Sequence, residues 1–284
     1  MFRKDPPYNI YPTRKISKSS QVEQPTVLSP GGQLSWWCSK KSHDFLFSAQ
    51  EFCQKIGGKL DTLESFSRKN LSDFKMESED SVILKEIYRW ADPKRFLEIG
   101  TWKGFGSKLV LENSRATVWS INLLEGETNE AGGSAYEESP MMPRFSLSKL
   151  RQKFGKQKIS SDAGVRIGRL VHEAGLGHRF NQIFCDSRQW DTSNYPRGFF
   201  DSVLIDGSHE PEMVVHDTRK TTPLLRSGGI MLWHDYCPDP EVIQTMSSVR
   251  GVTRGIEMLD AYLKEHFSEC FWINPSWLLV GIKK

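Results

Sequence analysis

Three apolar runs in the second half of the chain each stop at residues whose types could do chemistry. Phe180 to Cys185 leads into Asp186, Ser187 and Arg188. Phe200 to Ile205 leads into Asp206, Gly207, Ser208 and His209, and Gly229 to Trp233 leads into His234, Asp235 and Tyr236. Carboxylates beside imidazoles are the side chains of acid–base work, because a histidine titrates near neutrality and a neighbouring acid tunes it. Upstream, the stretch RFLEIGTWKGFGS (Arg95 to Ser107) carries one acid, Glu98, inside an apolar run that stops at Gly100. A glycine turn follows, and then an apolar segment around Leu109 to Leu111, so the pattern is strand, turn, helix. Glycines let the backbone adopt φ > 0 and let a ligand approach, while the helix aims free N–H groups at the same spot.

These residues need one element type to gather them. In a parallel α/β sheet the carboxyl ends of the strands share one edge, and ligands bind there where the strand order reverses. With TVWSIN (Thr117 to Asn122) as a further strand, that edge collects Glu98, Asn122, Asp186, Asp206 and Asp235. The glycines fall at Gly100, Gly104 and Gly106, which does not satisfy the dinucleotide pattern G-x-G-x-x-G and speaks against a nicotinamide enzyme.

Glu98, Gly100 and Gly104 match E/D-x-G-x-x-x-G, and the stretch resembles motif I of the class I S-adenosylmethionine-dependent methyltransferases. The string FDSVLIDGSHEPEMVVHDTRKTTPLLRSGGIMLWHDY resembles a subfamily of small-molecule O-methyltransferases with F-D-x-V-x-I-D-G-x-H, L-L-x-x-G-G and H-D-Y in series. The likeness spans residues 95 to 250. It implies a Rossmann-like α/β sheet, mostly parallel with a C-terminal antiparallel hairpin, and transfer of a methyl group from S-adenosylmethionine to a hydroxyl of a small molecule. By this resemblance Gly100, Thr101 and Gly104 cradle the methionine moiety, and Glu98 lies below its ammonium group. Asn122 or Glu125 takes the ribose, and Asp186 with Ser187 contacts the adenine. The family usually has an acid where this chain has Asn122, and an amide brings no charge.

The same likeness places a divalent metal such as magnesium on Asp206, His234 and Asp235, where it would acidify a substrate hydroxyl. Magnesium prefers oxygen, so His234 points either to a softer metal or to a metal-free site with His234 or His209 as general base. Asp206, His209 and His234 are the candidate catalytic residues. Two other readings stay open: a metal-dependent hydroxylase-like enzyme, and an inactive ligand-binding protein of the same fold.

The chain has 284 residues, 38% of them hydrophobic and 26% charged, enough for one substantial core with an extension. Residues 1–33 read as a flexible arm, 34–75 as a helical N-terminal subdomain with a helix from Ser48 to Ile56, and 76–284 as the methyltransferase domain. An insertion at about 123–179 is a candidate lid or recognition element beside the ligand mouth. The run from Trp36 to Ser65 resembles the opening of a C-type lectin domain, but motif I follows too soon for a lectin's calcium-binding half. A net charge of +3 does not support a nucleic-acid partner, although Arg144 to Lys158 is a basic stretch. Five scattered cysteines, none in C-x-x-C, point to neither a disulfide framework nor structural zinc. With no apolar run of about 20 residues and no apolar leader, the expectation is a cytoplasmic protein that meets no membrane, with a homodimer as one open assembly.

Overall fold

A computed structural model describes residues 46–48, 80–124, 167–274 and 276–284. The arm at 1–33, most of 34–75, Glu125, the basic stretch and most of the insertion lie outside them. In chain order the elements are β1 (Leu46–Ser48), α1 (Ser81–Ala91), β2 (Arg95–Ile99), α2 (Phe105–Asn113), β3 (Thr117–Asn122), α3 (Arg169–Glu173) and β4 (Phe180–Phe184). Then follow β5 (Phe200–Ile205), α4 (Pro211–Thr221), β6 (Leu225–Trp233), α5 (Pro240–Thr245), α6 (Ser247–Met258), α7 (Asp260–His266), β7 (Phe267–Asn274) and β8 (Leu279–Lys283).

The strands form one eight-stranded sheet in the order β1-β7-β8-β6-β5-β2-β3-β4. From β2 the chain builds outward through β3 to β4, then returns to place β5 and β6 on the other side of β2. All these neighbours are parallel, whereas β8 is antiparallel to both β6 and β7. The mostly parallel sheet with its closing antiparallel pair is the expected architecture.

Both faces are covered, which is why the strands read as continuous apolar runs. Along β2, β5 and β6, Leu97, Ile99, Val203, Ile205, Met231 and Trp233 pack with α4, α6 and α7 through Val214, Val249, Ile256 and Leu263. The alternate residues Phe96, Leu204 and Leu232 pack with α1, α2 and α3 through Ile83, Ile87, Tyr88, Val110 and Val171. Truncating one of these fully buried leucines to alanine costs about 2–5 kcal/mol.

One element differs from the sequence reading. Leu46–Ser48, inside the stretch read as helical, is a strand that joins the sheet edge parallel to β7. Its backbone pairs with Trp272 to Asn274, a partner more than 220 residues away that local periodicity cannot reveal. Further along, α4 stops at Thr221, a short 3-10 turn intervenes, and Leu225 opens β6. Phe267 begins β7 directly after α7.

Candidate active site

The strand order reverses between β2 and β5, so the chain leaving β2 at Gly100 and the chain leaving β5 at Asp206 lie side by side. Asp206 N–H donates to Ile99 O (2.8 Å) and Gly100 N–H to Ile121 O (2.8 Å). Gly100 has φ +100°, and a Cβ there would sit 1.9 Å from the Asp206 carbonyl oxygen. Only glycine permits both the conformation and the approach. The glycine turn and the first acid of the carboxylate cluster are therefore joined by backbone.

The turn is held from β3. Asn122 Oδ1 accepts from the N–H groups of Thr101 (2.9 Å) and Trp102 (3.1 Å), and its Nδ2 donates to Leu123 O (2.8 Å). Trp102 sits at φ 43°, unusual for a bulky residue, and its carbonyl accepts from Gly168 N–H (2.8 Å). The side chain expected on a ribose thus spends its oxygen on the turn itself. Gly104 N-caps α2 in the left-handed conformation. The Trp102 ring is 42% exposed beside this turn, whereas Trp190 is core.

Glu98 lies behind the turn and is 1% exposed, so it is buried support and not an open contact. Its Oε2 accepts from Ser107 Oγ and from Ser120 Oγ (2.5 Å). Gln182 Nε2 donates to Thr101 Oγ1 (2.9 Å), which lies 2.6 Å from Ser120 Oγ. Because the amide can only donate, the hydroxyls pass their hydrogens one way, ending at Glu98. Burial nevertheless pushes the Glu98 carboxyl up to about 8 against these hydrogen bonds.

Asp186, at the end of edge strand β4, is closed by Arg188, whose guanidinium Nη2 lies 2.8 Å from Oδ2 and whose N–H donates to Oδ1 (2.9 Å). These hydrogen bonds hold its carboxyl below the usual range. The Ser187 carbonyl accepts from Lys220 Nζ of α4 (2.7 Å). Neither residue reaches the histidine cluster by a described contact.

That cluster forms where β5 and β6 end. His209 Nε2 lies 2.7 Å from Asp235 Oδ2. Asp206, His209 and Asp235 each present a ligand atom, all within 4.8 Å of one another. The His209 loop is seated by α6: a Cβ on Gly251 would stand 2.0 Å from the His209 carbonyl oxygen. Burial lowers the His209 pKa, but the Asp235 hydrogen bond and charge outweigh it and the net shift is upward. Burial raises Asp235, yet His234 and His209 hold it below the usual carboxylate range.

His234 stands against the same two acids from behind. It is buried, with Nδ1 3.2 Å from Asp206 Oδ1 and 3.4 Å from Asp235 Oδ1, and Nε2 3.1 Å from Asp80 Oδ2. Burial opposes its charge, but Asp206 and Asp235 hold it well above the usual histidine range. With a carboxylate near each ring nitrogen, both nitrogens of His234 are engaged. His209, exposed at 47% of its side chain, is the open imidazole of the cluster. Asp80 escaped the sequence reading, because nothing local marks an acid before α1 as part of a distant site. It makes no side-chain cap and is fully buried behind the site.

The family described as "Methyltransferase domain" matches residues 97–236, the span that holds these groups except Asp80 and Gly251. A search of curated proteins returns no match. Among solved structures, the chain is similar to an O-methyltransferase from Bacillus cereus in complex with S-adenosylhomocysteine, at 16% identity and TM-score 0.46, covering 76% of this chain and 85% of that one. It is also similar to the O-methyltransferase TomG from Streptomyces achromogenes, in complex with S-adenosylmethionine, at 15% identity and TM-score 0.43, covering 77% and 92%. No helix among the described residues is long and apolar enough to cross a membrane. Residues 97–236, just under half of the chain, thus match the methyltransferase-domain family, and they build the mostly parallel part of the sheet.

Proposed function

We propose that this enzyme transfers a methyl group from S-adenosylmethionine to a hydroxyl of a small-molecule acceptor. The observation that carries the reading is the cluster of Asp206, His209 and Asp235 one peptide from the glycine turn, at the switch in strand order. An acceptor hydroxyl must lose a proton as it attacks, and this cluster is the acid–base equipment beside the cofactor turn. When bound, S-adenosylmethionine supplies the electrophilic methyl group. Gly100, Thr101 and Gly104 would hold its methionine end, with Glu98 as buried support. Asp186 and Ser187 would border the adenine. Since Asn122 is engaged with the turn, its part is to keep Thr101 and Trp102 in place.

Asp206, His209 and Asp235 fit a divalent cation by donor count and spacing. Two carboxylates with one imidazole suit manganese, iron or zinc better than magnesium, which favours all-oxygen sites. Such an ion would bind and acidify the acceptor hydroxyl. The 2.7 Å contact between His209 and Asp235 favours a second arrangement, in which His209 takes the proton directly and Asp235 orients it.

Calorimetric titration with S-adenosylhomocysteine tests the cofactor site, with micromolar affinity (about −8 kcal/mol) expected. Incubation of S-adenosylmethionine with hydroxylated acceptors, with and without Mn2+, tests the reaction and its dependence on metal. Absence of binding would remove the methyltransferase reading. Transfer that survives complete chelation would leave the His209 base alone.

A further inference from the structure

We infer that Asp80 is a positioning residue for the reaction. Acting through His234, it sets the spacing of Asp206 and Asp235, so that the two acids can share one divalent cation. The inference rests on the reading of Asp206, His209 and Asp235 as a cation site.

Asp80 is 0% exposed, although its side chain makes no capping hydrogen bond to its own helix. Its two oxygens each stand 3.2 Å from Trp277 N, and Oδ2 stands 3.1 Å from His234 Nε2. Trp277 returns the link, because its carbonyl accepts from Tyr236 N–H at 3.1 Å. A closed ring of contacts thus runs from Asp80 to His234, along the backbone to Tyr236, across to Trp277 and back to Asp80. It ties the start of α1, the end of β6 and the approach to β8, segments separated by 154 and 197 residues.

Within that ring the His234 imidazole is gripped at Nε2, and its plane is therefore fixed. Its Nδ1 then meets Asp206 from β5 and Asp235 from β6, one oxygen of each. Asp235 adopts φ 59°, a left-handed conformation in which its side chain can face both His234 and His209. A buried carboxylate is costly unless its partners need it. Here the need is geometric: two acids on separate strands must hold a fixed separation before any cation arrives. Outer groups that orient metal ligands this way commonly change affinity by about 10–100-fold when removed.

The test is Mn2+ affinity of the full chain, read from the electron paramagnetic resonance of free Mn2+, for wild type, Asp80→Asn, His234→Gln and the double variant. Asp80→Asn keeps an oxygen for Trp277 and loses the carboxylate facing His234. The expected result is weakening of at least about tenfold in each single variant. The double variant should be no weaker than His234→Gln, since Asp80 works only through His234. Affinity for S-adenosylhomocysteine should stay within about twofold throughout.

Additive losses, or wild-type Mn2+ affinity in Asp80→Asn, would reduce Asp80 to a strut between α1 and the hairpin and overturn the inference. Should Asp80→Asn fail to fold, unchanged Mn2+ affinity in His234→Gln overturns it equally, and a tenfold loss there supports it. Wild-type protein that binds S-adenosylhomocysteine but no Mn2+ removes the cation site itself, an outcome distinct from a failure of the relay.

Discussion

Replacing Glu98 by glutamine should change how the stability of this protein depends on pH. Glu98 is buried beneath the cofactor turn, and burial lifts its carboxyl from 4.5 to about 8. Between those two values the folded protein holds a proton that the unfolded chain has released. The folded state therefore binds more protons, and stability falls as pH rises from about 4.5 through 8. At 1.36 kcal/mol per unit the whole span amounts to roughly 5 kcal/mol, against a total of about 5–15 kcal/mol for a domain. Glutamine keeps the shape and an oxygen for Ser107 and Ser120, and cannot ionise. Urea unfolding at pH 5, 7 and 9 should show the variant gaining on wild type by several kcal/mol across the series, since other titrating groups cancel in the difference. Parallel curves would refute the reasoning. They would mean that the chain of donors from Gln182 through Thr101 and Ser120 stabilises the anion enough to offset its burial.

Three further outcomes follow from the geometry. Asn122→Ala removes the acceptor of two turn N–H groups; S-adenosylhomocysteine affinity should fall about tenfold, and Asn122→Asp, which keeps the acceptor, should retain most of it. Asp206→Ala and Asp235→Ala should each lower methyl transfer by about 100-fold or more with S-adenosylhomocysteine binding retained, as steady-state rates and calorimetry on the same samples would show. Gly251→Ala forces α6 away from the His209 carbonyl; thermal unfolding should report a loss of about 1–3 kcal/mol, and transfer should slow while cofactor affinity holds.

Much of the fold is legible without coordinates. The runs RFLEI, FDSVLI and GIMLW carry apolar residues on both faces, as strands covered from both sides do. Gly100 follows from the need for a tight turn, and the acids after each strand follow from the common edge of a parallel sheet. These are local properties: side-chain alternation and backbone conformation act over a few residues and leave their mark in the order of amino acids.

What each polar group faces is another matter. Asn122 and Asp186 stand at the right strand ends, but one is spent on the turn and the other on Arg188. His234 and His209 were both candidate bases in sequence, with His234 also a candidate metal ligand. Asp80, approaching from 154 residues away, takes one ring nitrogen of His234, and the left-handed turn at Asp235 brings its carboxylate to His209. The strand β1 joins β7 by the same kind of distant pairing. Sequence determined the strands, the glycine turn and the edge on which chemistry could gather, because short-range sterics and burial dictate them. Only the tertiary structure decided which histidine is open and which acid stands behind it, because buried hydrogen bonds are settled by whichever partners the packed chain brings within about 3 Å.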